Sequence, residues 1–133
     1  MNEAQTYAWI FLSVPDQPGS LQDIVAMADG INHAIPTQQE LRQSFGWLQR
    51  HNLIRKDAKK YALTEAGSAL RTRSSAATVM KTWDAVTAHF AAMPTCNAEP
   101  DDVSEADVAT AYTKYKKWFW QTYKNLKSND SHA

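Results

Sequence analysis

Residues 37–67 read TQQELRQSFGWLQRHNLIRKDAKKYALTEAG, and most of the fold prediction rests on this stretch. It opens with Thr37 and Glu40, which have the spacing of a capping box. In this motif the threonine side chain accepts a hydrogen bond from the third helical amide, and the glutamate side chain accepts one from the threonine amide. Apolar residues then recur at helical spacing on one face, at Leu41, Phe45 and Leu48. Asn52 tolerates the left-handed conformation that ends many helices. The stretch therefore predicts a helix over 38–52 with one apolar and one polar face.

A small β-hairpin is predicted directly after this helix. Residues 53–56 and 60–63 are two short runs of strand-forming residues, and 57–59 form the turn between them. Thr64 then has the character of an N-cap for a further helix that includes Leu70.

Two more helices are predicted before residue 37. Residues 4–14 carry apolar side chains at helical spacing and meet Pro15, which stops a helix. Ser20 and Asp23 have the spacing of another capping pair, and the helix that they begin is expected to end near Gly30.

Two longer helices are predicted after residue 73. The first starts from Ser74, ends at Pro94, and carries a seam with steps of four and three residues, at Val79, Trp83, Val86, Phe90 and Met93. The second starts at Ser104 and runs to about Lys127, with an apolar side formed by Val108, Tyr112, Tyr115, Phe119 and Leu126. The predicted class is mainly α with a small β-hairpin.

Length and composition place the chain among folded proteins of one domain, or of one domain plus a helical extension. It has 133 residues, 44% of them apolar, and fourteen basic residues balance fourteen acidic ones. Cys96 is the only cysteine, so a disulfide within the chain is excluded. No apolar run approaches the roughly 20 residues that cross a bilayer, and the polar start lacks the features of a signal peptide. We therefore expect a cytoplasmic protein with no membrane partner.

Charge alternates in blocks along the chain. The net charge is −4 over residues 1–37, +6 over 38–81, −6 over 82–113 and +4 over 114–133. Such blocks can meet a polyanion or meet each other across a subunit contact. The plainer interpretation of any single block is a solvated helix face.

The order of these elements resembles a winged helix-turn-helix domain. The residues that carry the resemblance are Thr37–Leu41, Phe45, Leu48, Asn52–Ile54 and Tyr61–Gly67. Similar strings occur in bacterial regulators of the MarR and PadR kind, where a glycine usually stands at the position of Asn52. The resemblance implies a winged-helix domain over 1–73, followed by a C-terminal helical extension over 74–133 for packing or dimerisation.

The resemblance further implies a transcriptional regulator that binds double-stranded DNA. Helix 38–52 would lie in the major groove and hairpin 53–63 would be the wing. Glutamine and arginine each make two hydrogen bonds to one base, so we expect base contacts from Gln38, Gln39, Arg42 and Gln43. Phosphate contacts are expected from Arg50, Arg55, Lys56, Lys59 and Lys60.

The alternative is a winged helix that serves as a protein-interaction or assembly module and binds no DNA. Aromatic side chains would then carry the contact, and covering of the third helix by the chain's own C-terminal part would favour this interpretation. Trp47, beside the polar face of that helix, is either a core residue or a partner-binding anchor. The predicted contacts to a partner or to a second subunit are Trp83, Phe90, Tyr112, Tyr115, Trp118, Phe119 and Trp120. Packing of these residues within one chain remains the other possibility.

No enzyme motif is found. The four histidines have no metal-ligand spacing with each other or with Cys96, and no glycine-rich phosphate loop or nucleophile elbow is present. Asp101 and Asp102 are predicted to lie in a loop and to serve solubility or capping. The sequence therefore predicts no catalytic residue, no metal and no cofactor.

Overall fold

The computed structural model describes residues 1–94 and 97–130, so the expectations for Cys96 and His132 lie outside the described residues. The chain is mainly helical with one two-stranded antiparallel hairpin, which confirms the predicted class at this level. Its elements, in order, are α1 (Glu3–Ser13), α2 (Leu21–Asn32), α3 (Gln38–Arg50), β1 (Ile54–Asp57), β2 (Lys60–Leu63), α4 (Glu65–Ser74), α5 (Val79–Ala91) and α6 (Glu105–Asp130).

The capping residues set the starts of these helices. Ser20, Thr37 and Thr64 each accept a hydrogen bond from the backbone amide three residues ahead, as predicted. Several boundaries differ from the prediction, and α3, which was expected over 38–52, ends at Arg50. Helix α2 continues to Asn32 because no residue before His33 adopts the left-handed conformation (φ 55°) that ends it. Helix α5 begins at Val79 because the side chain of Thr78 caps it, accepting from the amide of Lys81 at 3.1 Å.

A segment between α1 and α2 extends the hairpin at its edge. The amide of Gly19 donates to the carbonyl of Tyr61 at 2.9 Å, and the amide of Tyr61 donates back at 3.0 Å. The amide of Leu63 donates to Pro15 at 2.8 Å. A glycine is required here, because a Cβ atom at residue 19 would lie 2.6 Å from Cγ of Pro15. This third, very short strand-like piece has no strand pattern in the sequence and was not predicted.

Helix α1 lies at the centre of one continuous core. Ala8, Ile10 and Phe11 are fully buried, and α5 packs against them. The rings of Phe11 and Phe90 meet edge to face at 5.4 Å, and the indole of Trp83 donates to the carbonyl of Gln5 at 2.8 Å. The core therefore draws residues from both sides of the boundary predicted at residues 73 and 74.

Trp47 belongs to this core, which confirms the first of its two interpretations. It is buried, its ring stacks on Tyr7 with centroids 4.7 Å apart, and its other neighbours include Phe90.

Helix α6 packs on α2, and its buried residues lie in its first half. Val108, Ala111 and Tyr115 are buried, and the hydroxyl of Tyr115 donates to a carboxylate oxygen of Asp29 at 2.6 Å. The hydroxyl of Tyr112 donates to the carbonyl of Pro36. Beyond Tyr115, the large apolar side chains of α6 are about half exposed. No helix in the described ranges is long and apolar enough to cross a membrane.

Candidate functional site

Residues 99–103, named here the acidic segment, lie along one side of α3. The backbone of Asp101 pairs with α3: its amide donates to the carbonyl of Arg42 at 2.9 Å, and its carbonyl accepts from Nε of Arg42 at 3.1 Å. The side chain of Gln38 donates to the carbonyl of Val103 at 3.2 Å. Gly46 allows this close approach, because a Cβ atom there would lie 2.1 Å from the carbonyl oxygen of Glu99. The acidic segment therefore covers part of the polar face of α3.

The carboxylate of Asp101 joins α3 to the hairpin. It is buried, and it accepts hydrogen bonds from Nε2 of Gln49 at 2.8 Å, from the hydroxyl of Tyr61 at 2.6 Å and from Nζ of Lys56 at 3.0 Å. The amide of Val103 donates to it at 3.0 Å. Both oxygens are occupied, so this buried charge is paired and hydrogen-bonded as burial requires.

The acidic segment also shifts the ionisation of its neighbours. Burial, together with the hydrogen bond to Asp101, strongly raises the pKa of the Tyr61 hydroxyl. Burial alone would lower the pKa of Lys56, but its hydrogen bonds to Asp102 and Asp101 outweigh this effect and raise that pKa. The same hydrogen bond from Lys56 lowers the pKa of Asp102. Lys56 and Asp102 therefore stay charged, and the Tyr61 hydroxyl stays protonated and able to donate to Asp101.

The nine predicted DNA contacts divide into two groups. Those engaged with the acidic segment or with the start of α6 are Gln38, Arg42, Lys56 and Lys59, the last through a 3.4 Å ion pair with Asp107. Those left exposed are Gln39, Gln43, Arg50, Arg55 and Lys60. One strip of α3 is therefore exposed to solvent, and the side of α3 toward the hairpin is covered by the acidic segment.

Asp101 and Gln49 organise this site, but the sequence pattern singled out only Asp101, and for a different role. Asp101 was predicted to lie in a loop and to serve solubility or capping, but it is a buried link between α3 and the hairpin. One feature of the sequence agrees with this contact. Residues 38–81 have a net charge of +6 and residues 82–113 a net charge of −6, so the two segments attract each other.

The second half of α6 carries an exposed apolar cluster, named here the aromatic tail. Its members are between 46% and 60% exposed: Trp118, Phe119, Trp120, Tyr123 and Leu126. Their rings contact one another, with centroids 5.8 Å apart for Phe119 and Trp120 and 5.9 Å apart for Trp120 and Tyr123. Of the predicted partner contacts, Trp118, Phe119 and Trp120 lie in this cluster.

The other predicted partner contacts face the chain itself. Trp83 and Phe90 are buried against α1, and Tyr115 is buried against α2. Tyr112 is half-buried and bound to Pro36. Intramolecular packing, the alternative left open for these residues, therefore accounts for all four.

A mostly apolar cleft of about 570 Å³ lies between α1, α2 and the start of α5. Its walls include Leu12, Met27, Ile31 and Val79. The one charged residue in its lining, Arg71, is paired with Asp16 at 2.6 Å. Met27 and Val79 are more than half exposed, so this cleft presents apolar surface to solvent.

Within residues 1–94 and 97–130, no three histidine, cysteine, aspartate or glutamate side chains come together as a metal site. Comparison with protein-family models, with curated proteins and with solved structures finds no match to this chain.

Proposed function

We propose that this chain is a winged-helix assembly module that pairs with a second copy of itself through the aromatic tail. The element order supports a winged helix: three helices precede the hairpin, and the Gly19 segment pairs with β2 as a short third strand would. A fold alone does not fix a function, so the proposal depends on which surfaces are open.

The aromatic tail is the observation that carries the proposal. Five large apolar side chains stand about half exposed on the second half of α6, whereas Val108, Ala111 and Tyr115 in its first half are buried. Monomeric proteins rarely expose contiguous apolar patches of this kind, and tryptophan and tyrosine are the residues that anchor protein interfaces. Self-association would remove this surface from water.

A second copy is the favoured partner because the chain offers two complementary apolar surfaces. The aromatic tail projects as a helix end, and the cleft lined by Met27 and Ile31 is concave. The two surfaces are neighbours on α2. Ala26 lines a smaller pocket beside the aromatic tail, and the next residue, Met27, lines the cleft. In a dimer with a two-fold axis, the tail of each copy would lie in the cleft of the other. This arrangement would bury the tail and the cleft of both copies.

Sedimentation equilibrium of two single variants tests the proposal. Phe119→Glu places a charge in the aromatic tail, whereas Gln121→Glu places the same charge on an exposed polar position of the same helix. We expect the wild type and Gln121→Glu to form dimers, and Phe119→Glu to dissociate at least about tenfold more readily, equal to roughly 1.4 kcal/mol. A wild type that stays monomeric at about 200 µM, or two variants that behave alike, would refute it.

Duplex DNA binding, as in a bacterial transcriptional regulator, is the second candidate. It is favoured by the exposed strip of Gln39, Gln43 and Arg50 on α3 and by Arg55 and Lys60 on the hairpin. We expect any such binding to weaken steeply with salt, and Asp101→Asn to strengthen it because the variant removes one of the two carboxylates that hold Lys56. A gel-shift at low salt in which neither the wild type nor Asp101→Asn binds any duplex would exclude this candidate.

A further inference from the structure

We propose that the cleft between the β-hairpin and α6 binds a small organic molecule with at least two negative charges. The cleft has a volume of about 510 Å³, within the range of ligand pockets in proteins. Its walls are the hairpin, the first turn of α2, the end of the acidic segment and the first half of α6. This proposal goes beyond self-association and does not depend on it.

The cleft has an excess of positive charge. Four lysines line it, at positions 56, 59, 60 and 114, against the two carboxylates of Asp102 and Asp107, which leaves a net charge of +2. Asp101, buried beneath Lys56, lowers this to +1. The chain as a whole has no net charge, so the positive excess is a local property of the cleft.

Three of the four lysines can turn toward a ligand. In the part of the chain that the structure describes, Lys60 and Lys114 form no ion pair. The side chain of Lys59 is 84% exposed, and its contact with Asp107 is long at 3.4 Å, so an anion can replace it at little cost. Lys56 is held by Asp101 and Asp102 and anchors the wall.

The arrangement of these groups indicates the chemical class of the ligand. Lys59 and Lys60 stand on the hairpin and Lys114 stands on α6, so a ligand that meets both walls needs more than one negative group. Apolar side chains, including Leu21 and Val103, also line the cleft, so a short carbon skeleton can be accommodated. Lysine binds carboxylate and phosphate oxygens as a point charge, and a polycarboxylate or a phosphate compound therefore fits equally well.

Isothermal titration calorimetry with citrate and, separately, with pyrophosphate tests the proposal at constant ionic strength. We expect saturable binding of at least one probe with one site per chain. Binding of citrate alone would assign a carboxylate ligand, and binding of pyrophosphate alone a phosphate ligand. Absence of saturable heat with both would overturn the proposal.

Three lysine variants locate the site. Lys60→Gln and Lys114→Gln should each weaken binding about three- to fivefold, as expected for loss of one exposed ion pair. Lys81→Gln, on α5 and outside the cleft, is the matched control and should leave the affinity unchanged. An equal effect of all three variants would show that only the overall charge matters and would overturn the site. Amide shifts in a ¹H–¹⁵N spectrum confined to the hairpin, the start of α2 and the first half of α6 give an independent readout.

Discussion

At the scale of single residues, two adjacent aspartates have very different roles. Asp101 is buried and accepts hydrogen bonds from side chains of both α3 and the hairpin. The side chain of Asp102 is 91% exposed and forms an ion pair with Lys56. A carboxylate that is paired inside the fold is costly to remove, because its partners stay behind without acceptors, whereas an exposed ion pair contributes little.

We therefore expect Asp101→Ala to destabilise the fold by about 3 kcal/mol or more, because Gln49, Tyr61 and Lys56 lose their acceptor. Asp102→Ala is the matched control and should have a much smaller effect, because its ion pair with Lys56 is largely exposed on the Asp102 side. Urea unfolding followed by far-ultraviolet circular dichroism measures both. Equal losses in the two variants would show that the acidic segment contributes through its overall charge and not through this one buried contact.

At the scale of elements, the contact between α3 and the acidic segment depends on a missing side chain. Glycine is a poor helix former, and its place in α3 is explained by the carbonyl of Glu99, which lies where a Cβ atom of residue 46 would be. Gly30, in α2, has no atom within 4 Å of the corresponding position. Substitution of Gly30 therefore reports on helix propensity alone, whereas substitution of Gly46 also reports on the contact with the acidic segment.

Alanine at these two positions should change stability in opposite directions. Gly30→Ala should stabilise the protein by about 0.5–1 kcal/mol, because alanine is the better helix former and space is free. Gly46→Ala should destabilise it by about 1–3 kcal/mol, the usual cost of overpacking, because the acidic segment must move away from α3. Thermal unfolding gives both values. Stabilisation by Gly46→Ala would mean that the acidic segment is not held tightly on α3.

At the scale of the whole molecule, local signals in the sequence predicted the elements but not their mutual arrangement. The caps at Ser20, Thr37 and Thr64 act over three residues, so the pattern alone revealed them. The bond from Tyr61 to Asp101 spans 40 residues, and the bond from Gln49 to Asp101 spans 52. The periodicity of apolar residues in the sequence contains no information about pairs so far apart. For the same reason, the spacing of the aromatic residues in 74–127 does not indicate which of them pack inside the chain and which stay exposed.

These long-range contacts should make the stability of the whole fold depend on alkaline pH. Burial and a hydrogen bond to Asp29 raise the pKa of Tyr115 to about 12, and burial also raises the pKa of Tyr61 and of Tyr112 above the ordinary value of 10.0. A raised pKa means that the folded state favours the protonated form. The stabilisation is therefore complete below pH 10 and decreases as the pH rises toward the folded value.

The urea midpoint should consequently fall between pH 10 and about pH 12 as tyrosine hydroxyls that are bonded to carboxylates begin to ionise. Tyr115→Phe keeps the ring and removes one of these hydroxyls, so its loss of stability over the same range should be shallower than that of the wild type. Tyrosinate absorbance near 295 nm, followed in parallel, should show part of the tyrosine titration delayed beyond that of an unfolded control. If the midpoint stayed constant to pH 12, or if Tyr115→Phe left the slope unchanged, the bond between α6 and α2 through Asp29 would contribute nothing to holding α6 on the fold.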